Sequence, residues 1–120
     1  MDTPQEHAEC VFCNISIKAI PANILFESDN VLIIKDILPQ APVHAQIIPK
    51  RHIATVNDLT EADGALIAEM ILAAKKYAQD SGVAETGYKL IWNNGKEGGM
   101  IIPHLHIHFL GGKQLPEIGT

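Results

Sequence analysis

Clusters of lysine or arginine are missing from this chain, and their absence narrows the partners it can hold. Only 9 basic residues stand against 14 acidic ones over 120 residues, a formal charge of −5. A field of that sign gathers no polyanion, which argues against duplex nucleic acid, although a mononucleotide needs only a local pocket. Long apolar runs are missing too. The most apolar helical stretch is interrupted by Glu69, Lys75 and Lys76, so no membrane association is expected. The first ten residues, MDTPQEHAEC, lack the basic and apolar blocks of a signal peptide, and a cytoplasmic protein is the expectation. Cysteine is scarce, with two residues three apart. In a reducing compartment that spacing points to metal or redox chemistry more than to a structural disulfide. Repeats, low-complexity segments and internal linkers are absent as well. With 47% hydrophobic and 19% charged residues, the composition suits a single domain over residues 10–120, behind a flexible N-terminus of residues 1–9 in which His7 is solvated.

What is present reads as an antiparallel α+β domain. VFCNISIKAI has apolar residues at 11, 12, 15 and 19, a helical spacing that Pro21 ends. NILFE and NVLIIKD flank Ser28-Asp29-Asn30 as a hairpin, and HAQIIP follows as a third strand. A long helix is predicted from Glu61 to Asp80. Leu66, Ile67, Met70, Ile71, Ala74, Tyr77 and Ala78 form its apolar stripe, Thr60 with Asp63 its N-terminal cap and Gly82 its stop. YKLIWN and HLHIHFL supply a fourth and a fifth strand. Consecutive strands joined by short turns, with one long helix inserted, give the α+β class.

Half of the six histidines lie within five residues, His104, His106 and His108, alternating with Leu105, Ile107 and Phe109. In a strand the histidines share one face, and the apolar three anchor the other face against the long helix. Successive same-face residues are about 6.7 Å apart, so His104 and His108 stand roughly 13 Å apart; two neighbours could converge on one ion, but three along a straight strand do not easily do so. A division of labour follows. A neutral imidazole is a good nucleophile toward phosphorus, and a second can protonate the leaving group. His106 in the middle is the natural nucleophile. His108, and His44 brought in by the third strand, are its candidate partners.

HLHIHFL matches the His-φ-His-φ-His-φ-φ signature at every position, φ being apolar, and here the chain resembles the histidine triad (HIT) family. ECVFCNI, KAIPANILFESD, IKDILPQAPVHAQIIPKRHI, GYKLIWNNG and HFLGG extend the resemblance over residues 10 to 114. It is closest to the Hint-like branch of histidine triad nucleotide-binding proteins. The resemblance implies homodimers, each subunit an α+β fold with a HIT-like five-stranded antiparallel sheet, one long helix and a short N-terminal helix. It implies purine nucleoside monophosphate binding. It also implies hydrolysis of nucleoside 5′-phosphoramidates or adenylylated compounds through a covalent nucleotidyl-histidine. By this match His106 is the nucleophile, with His44 and His108 beside the phosphate. Asn93 contacts the phosphate or ribose, and Asp36 accepts from the ribose hydroxyls. Val11, Phe12, Ile15 and Ile37 form the base slot. Taken alone, Asp36 and Asn93 read as turn residues, and Phe12 and Ile15 as core.

One stretch departs from the family pattern. Gly98-Gly99-Met100-Ile101-Ile102 stands where these proteins usually read Gly-Gly-Gln-Ser/Thr-Val. Met100 replaces an amide, and Ile101, at the nucleotide-binding position, replaces a hydroxyl thought to help the leaving group. Losing such a donor costs roughly 10²–10³ in rate where it matters. Nucleotide binding or scaffolding with weak catalysis is therefore one alternative. A dinucleoside polyphosphate hydrolase, which shares the nucleophile, is another.

Cys10-Val-Phe-Cys13 is half of a tetrahedral zinc site, and His52 and His104 are candidates for the other half. A redox pair without a thioredoxin-like context, or two free buried thiols, are the alternatives. A subset of HIT proteins resembles the metal arrangement. There the first triad histidine closes a structural zinc site, which leaves His106 and His108 for the phosphate.

Overall fold

The computed structural model describes residues 9–119. His7, and the flexible segment expected over residues 1–9 apart from Glu9, lie outside the described residues. Five strands, β1 (Ile24–Glu27), β2 (Val31–Lys35), β3 (Val43–Pro49), β4 (Tyr88–Ile91) and β5 (Ile107–Gly111), form one antiparallel sheet in the order β1-β2-β3-β5-β4. Two α-helices accompany it, α1 (Val11–Ser16) and α2 (Gly64–Asp80). The expected five-stranded sheet, long helix and short N-terminal helix are all there. Among the described residues no helix is long and apolar enough to cross a membrane.

Both faces of the sheet's centre are covered, which explains the continuous apolar run of β2. Val31 and Ile33 point to the α2 side and join Ala45, Ile47, Ile107 and Phe109 against Met70, Ala73, Ala74 and Ala78. Leu32, Ile34 and Ile48 point the other way and meet Phe12 and Ile15 of α1. Each large apolar side chain withdrawn from water contributes about 1.5–3 kcal/mol. Phe109 is the centre of the α2 side, edge-on to Tyr77 (5.0 Å between ring centroids) and stacked on Tyr88 (4.8 Å).

Several element boundaries differ from the sequence expectation. The first helix stops at Ser16 and does not run to Pro21. Lys18 adopts a left-handed φ of 65°, and the Ala19 N–H turns back to the Asn14 carbonyl at 2.8 Å. The long helix opens with a 3₁₀ turn, Glu61–Asp63, whose Thr60 N–H donates to the Asp63 carboxylate at 2.9 Å as the cap predicted. Its buried stripe includes Ala73, and Ile71 turns outward. At its far end Gly82 takes a φ of +83°, and the Val83 N–H returns to Ala78 O at 3.0 Å, the helix stop expected there.

The fifth strand begins only at Ile107. Pro103 donates no N–H to a ladder, the His104 N–H closes a tight turn on Ile102 O (2.8 Å), and the Leu105 N–H donates to Ile53 O (2.6 Å). Thus His104 and His106 precede the strand, and only His108 lies on it. This bend sends the three imidazoles to different places.

Candidate active site and metal cluster

On the α1 side of the sheet, β3 presents His44 and Gln46, and β5 presents His108 directly across from Gln46. Asp36 follows β2, its own N–H bonded to His44 O at 3.0 Å. The side chains of Asp36, His44 and His108 therefore meet. His44 Nε2 is 3.1 Å from His108 Nδ1 and 3.3 Å from Asp36 Oδ2. The Gln40 backbone N–H donates to His44 Nδ1 at 2.9 Å. A nitrogen that accepts cannot carry the proton of a neutral imidazole, so His44 holds its proton on Nε2, aimed at the other two groups.

That proton decides between two uses of the cluster. The ligand atoms of Asp36, His44 and His108 lie within 4.8 Å of one another, which by spacing alone suits a metal. A cation there needs the Nε2 lone pair of His44, and Gln40 has turned that nitrogen into the donor. The trio is a proton network.

His106 is buried beside it, 5.2 Å from His108 by ring centroid and edge-on to Phe12 at 5.1 Å. Its Nδ1 donates to the His104 carbonyl at 2.6 Å. A carbonyl only accepts, so Nδ1 is protonated and Nε2 keeps the lone pair. Burial holds His44, His106 and His108 below the ordinary imidazole range. Asp36 opposes this at all three, and His106 and His44 reinforce it at His108. The three imidazoles are thus neutral at pH 7, the state in which an imidazole can act as a nucleophile.

The remaining expected nucleotide contacts are more dispersed. Phe12 and Ile15 are buried, while Val11, Ile37 and Ile101 are exposed, the last two almost fully. Asn93 donates to Gly98 O at 2.7 Å and so holds the glycine turn, where a Cβ on Gly98 would collide with Asn94 O. Asp36 receives the Leu38 N–H on Oδ1 (2.8 Å) and the Gln46 amide on Oδ2 (2.7 Å). Sequence reasoning passed over Gln46, although a polar residue two after His44 on a strand was the available signal. The backbone donors of Leu38 and Gln40 leave no side-chain trace to read.

The other cluster gathers Cys10, Cys13, His52 and His104, again with ligand atoms within 4.8 Å of one another. Cys10 Sγ is 3.3 Å from His104 Nδ1, and Cys13 Sγ is 3.2 Å from His52 Nδ1 and 3.6 Å from His104 Nδ1. A tetrahedral zinc with bonds of about 2.0–2.3 Å sets its ligand atoms roughly 3.3–3.8 Å apart, close to these three separations. His104 Nε2 donates to Pro49 O at 2.8 Å, which leaves the Nδ1 lone pair facing the thiols, the outer-shell arrangement of a metal-binding histidine. The cluster joins α1 to the segment before β5, and it can hold a metal.

Fold and site together define a class: small α+β domains that gather a bent run of alternating histidines with a fourth histidine from the adjacent strand. The HIT domain family model matches residues 18–115, and the chain belongs to that family. It is 42% identical over 107 residues to the purine nucleoside phosphoramidase of Escherichia coli K12, covering 89% of this chain and 90% of that one. The crystal structure of a HIT family hydrolase from Legionella pneumophila is similar with a TM-score of 0.89 and 47% identity, covering 90% of this chain and 96% of that one. A zinc-bound histidine triad family protein from Mycobacterium smegmatis is similar with a TM-score of 0.77 and 28% identity, covering 93% and 81%.

Proposed function

We propose that this protein hydrolyses purine nucleoside 5′-phosphoramidates or related adenylylated compounds, with His106 as the nucleophile. The observation that carries the reading is the hydrogen bond from His106 Nδ1 to the His104 carbonyl, which reserves the Nε2 lone pair. The likeness to a purine nucleoside phosphoramidase supports the substrate class.

In the first step Nε2 of His106 bonds to the α-phosphorus and the P–N bond breaks. A phosphate anion beside His44 and His108 favours uptake of one proton by that pair, and the proton leaves on the departing amine. The nucleotidyl-imidazole is cationic, and the His104 carbonyl on Nδ1–H stabilises it. In the second step water attacks phosphorus, its proton returns to the His44–His108 pair, and the nucleoside monophosphate leaves with His106 restored. In this reading Asp36 and Asn93 serve the ribose and phosphate, Val11, Phe12, Ile15 and Ile37 form the slot for the base, and Ile101 takes the position beside the leaving group.

Zinc on Cys10, Cys13, His52 and His104 is structural in this reading. It would tether α1 and fix residue 104, and no chemical step passes through it. Residues 10–120 form the single HIT domain of a cytoplasmic homodimer.

Incubation with adenosine 5′-phosphoramidate releases AMP in the intact protein, and His106→Ala abolishes release while AMP binding persists. AMP binding without turnover would favour a second reading, a nucleotide-binding or scaffold protein. Met100 and the outward-facing Ile101, which offer no side-chain donor, motivate that reading. Faster cleavage of diadenosine polyphosphate than of the phosphoramidate would instead assign a dinucleoside polyphosphate hydrolase.

A further inference from the structure

Gln46 lies in the middle of the histidine face, two residues from His44 on β3 and paired with His108 on β5. Its Nε2 donates to Asp36 Oδ2 at 2.7 Å. A carboxylate only accepts, so this end of the amide must be nitrogen, and Oε1 is forced to the other side. There Oε1 is buried, the only buried side-chain nitrogen or oxygen among the described residues with no hydrogen-bond partner. Buried unpaired acceptors are uncommon in folded proteins, and one left in a site calls for an account of what its other end does.

The same carboxylate oxygen, Asp36 Oδ2, lies 3.3 Å from His44 Nε2. His44 has one proton there and two acceptors within reach, Asp36 Oδ2 and His108 Nδ1 at 3.1 Å. Whichever acceptor takes the proton sets the character of the pair. Pairing with Asp36 pulls His44 toward an imidazolium and frees His108 to hold its proton on either nitrogen. Donation to His108 Nδ1 keeps His44 neutral and places the His108 proton on Nε2.

We propose that Gln46 is a positioning residue: by occupying Asp36 Oδ2 it directs the His44 Nε2–H to His108 Nδ1 and so fixes His108 as the Nε2-protonated tautomer. This rests on the reading of the His44–His108 pair as the proton donor of a phosphoramidase. The groups facing His44 are Asp36, from the turn after β2, and His108, from β5. His106 faces His108 from the same segment, and the α1 residue against His106 is the apolar Phe12. Asp36 is therefore the one negative charge in the network that Gln46 can divert.

The test is ¹⁵N imidazole NMR on the full chain without substrate, for wild type, Gln46→Met and Gln46→Leu, alongside the pH profile of kcat with adenosine 5′-phosphoramidate. Wild type shows His108 protonated on Nε2 at neutral pH. In both variants the His44 midpoint rises by about one pH unit, as expected when a carboxylate becomes free to pair with an imidazole. His108 becomes a mixture of tautomers, and kcat falls roughly tenfold with KM little changed. An Nδ1-protonated His108 in wild type would overturn the proposal. So would an unchanged His44 midpoint and His108 tautomer in a folded variant, or unfolding of both variants, which would make Gln46 a core residue. Wild type with the NMR signature but no turnover would count against the phosphoramidase reading alone.

Discussion

His104, His106 and His108 belong to one short run but face a thiol cluster, a backbone carbonyl and a second imidazole respectively. Proton affinity separates such settings, and burial lowers it at His44 and His108. In the unfolded chain both titrate near about 6.5. Below that pH the unfolded state takes up protons that the folded state refuses, so stability is full above it and declines as pH falls toward the depressed folded values. Each pH unit of depression is worth about 1.4 kcal/mol once the pH lies below both values. Urea midpoints at pH 7.5 and pH 5 should differ more in wild type than in His108→Gln. An equal difference would place the acid sensitivity elsewhere.

At the scale of elements, the strands, the long helix and the HIT signature were legible because hydrophobic period and turn residues are local. The apolar stripe of α2 was read nearly whole, and Met70, fully buried at its centre, is its most exacting member. Met70→Ala should cost about 2–5 kcal/mol in denaturant unfolding. A loss near zero would mean that the helix is not anchored there. The bend before β5 was not legible. Alternation alone kept His104, His106 and His108 on one strand, while the actual break depends on Leu105 bonding to Ile53, 52 positions away in a loop. Gln46 escaped notice for a related reason. Its polarity two residues after His44 was the one local signal, and its meaning comes from Asp36, ten residues earlier on a neighbouring segment, a pairing that local pattern does not reveal.

For the whole molecule, the Cys-x-x-Cys spacing announced half of a cluster and the fold supplied the rest. The two histidines that complete it come from either end of the chain between β3 and β5, and the thiols from α1 and the residue that caps it. A metal held there ties three separate stretches into one body. Chelation should lower the thermal midpoint of wild type and leave a Cys13→Ser variant, already lowered, unmoved. With free metal at 100 times its dissociation constant the difference is about 2.7 kcal/mol. A midpoint indifferent to chelator would dispose of the tether.

His104 belongs to both halves of this design. Its ring faces the thiols and its carbonyl holds the proton of His106. The two cysteines and His106 are therefore not free to drift apart over generations. A lineage that discards the thiols must find another anchor for the peptide at 104 before its His106 can keep the same tautomer. Across descendants of such a chain, gains and losses at positions 10 and 13 should be inherited together with changes around 52 and 104, as one character and not four.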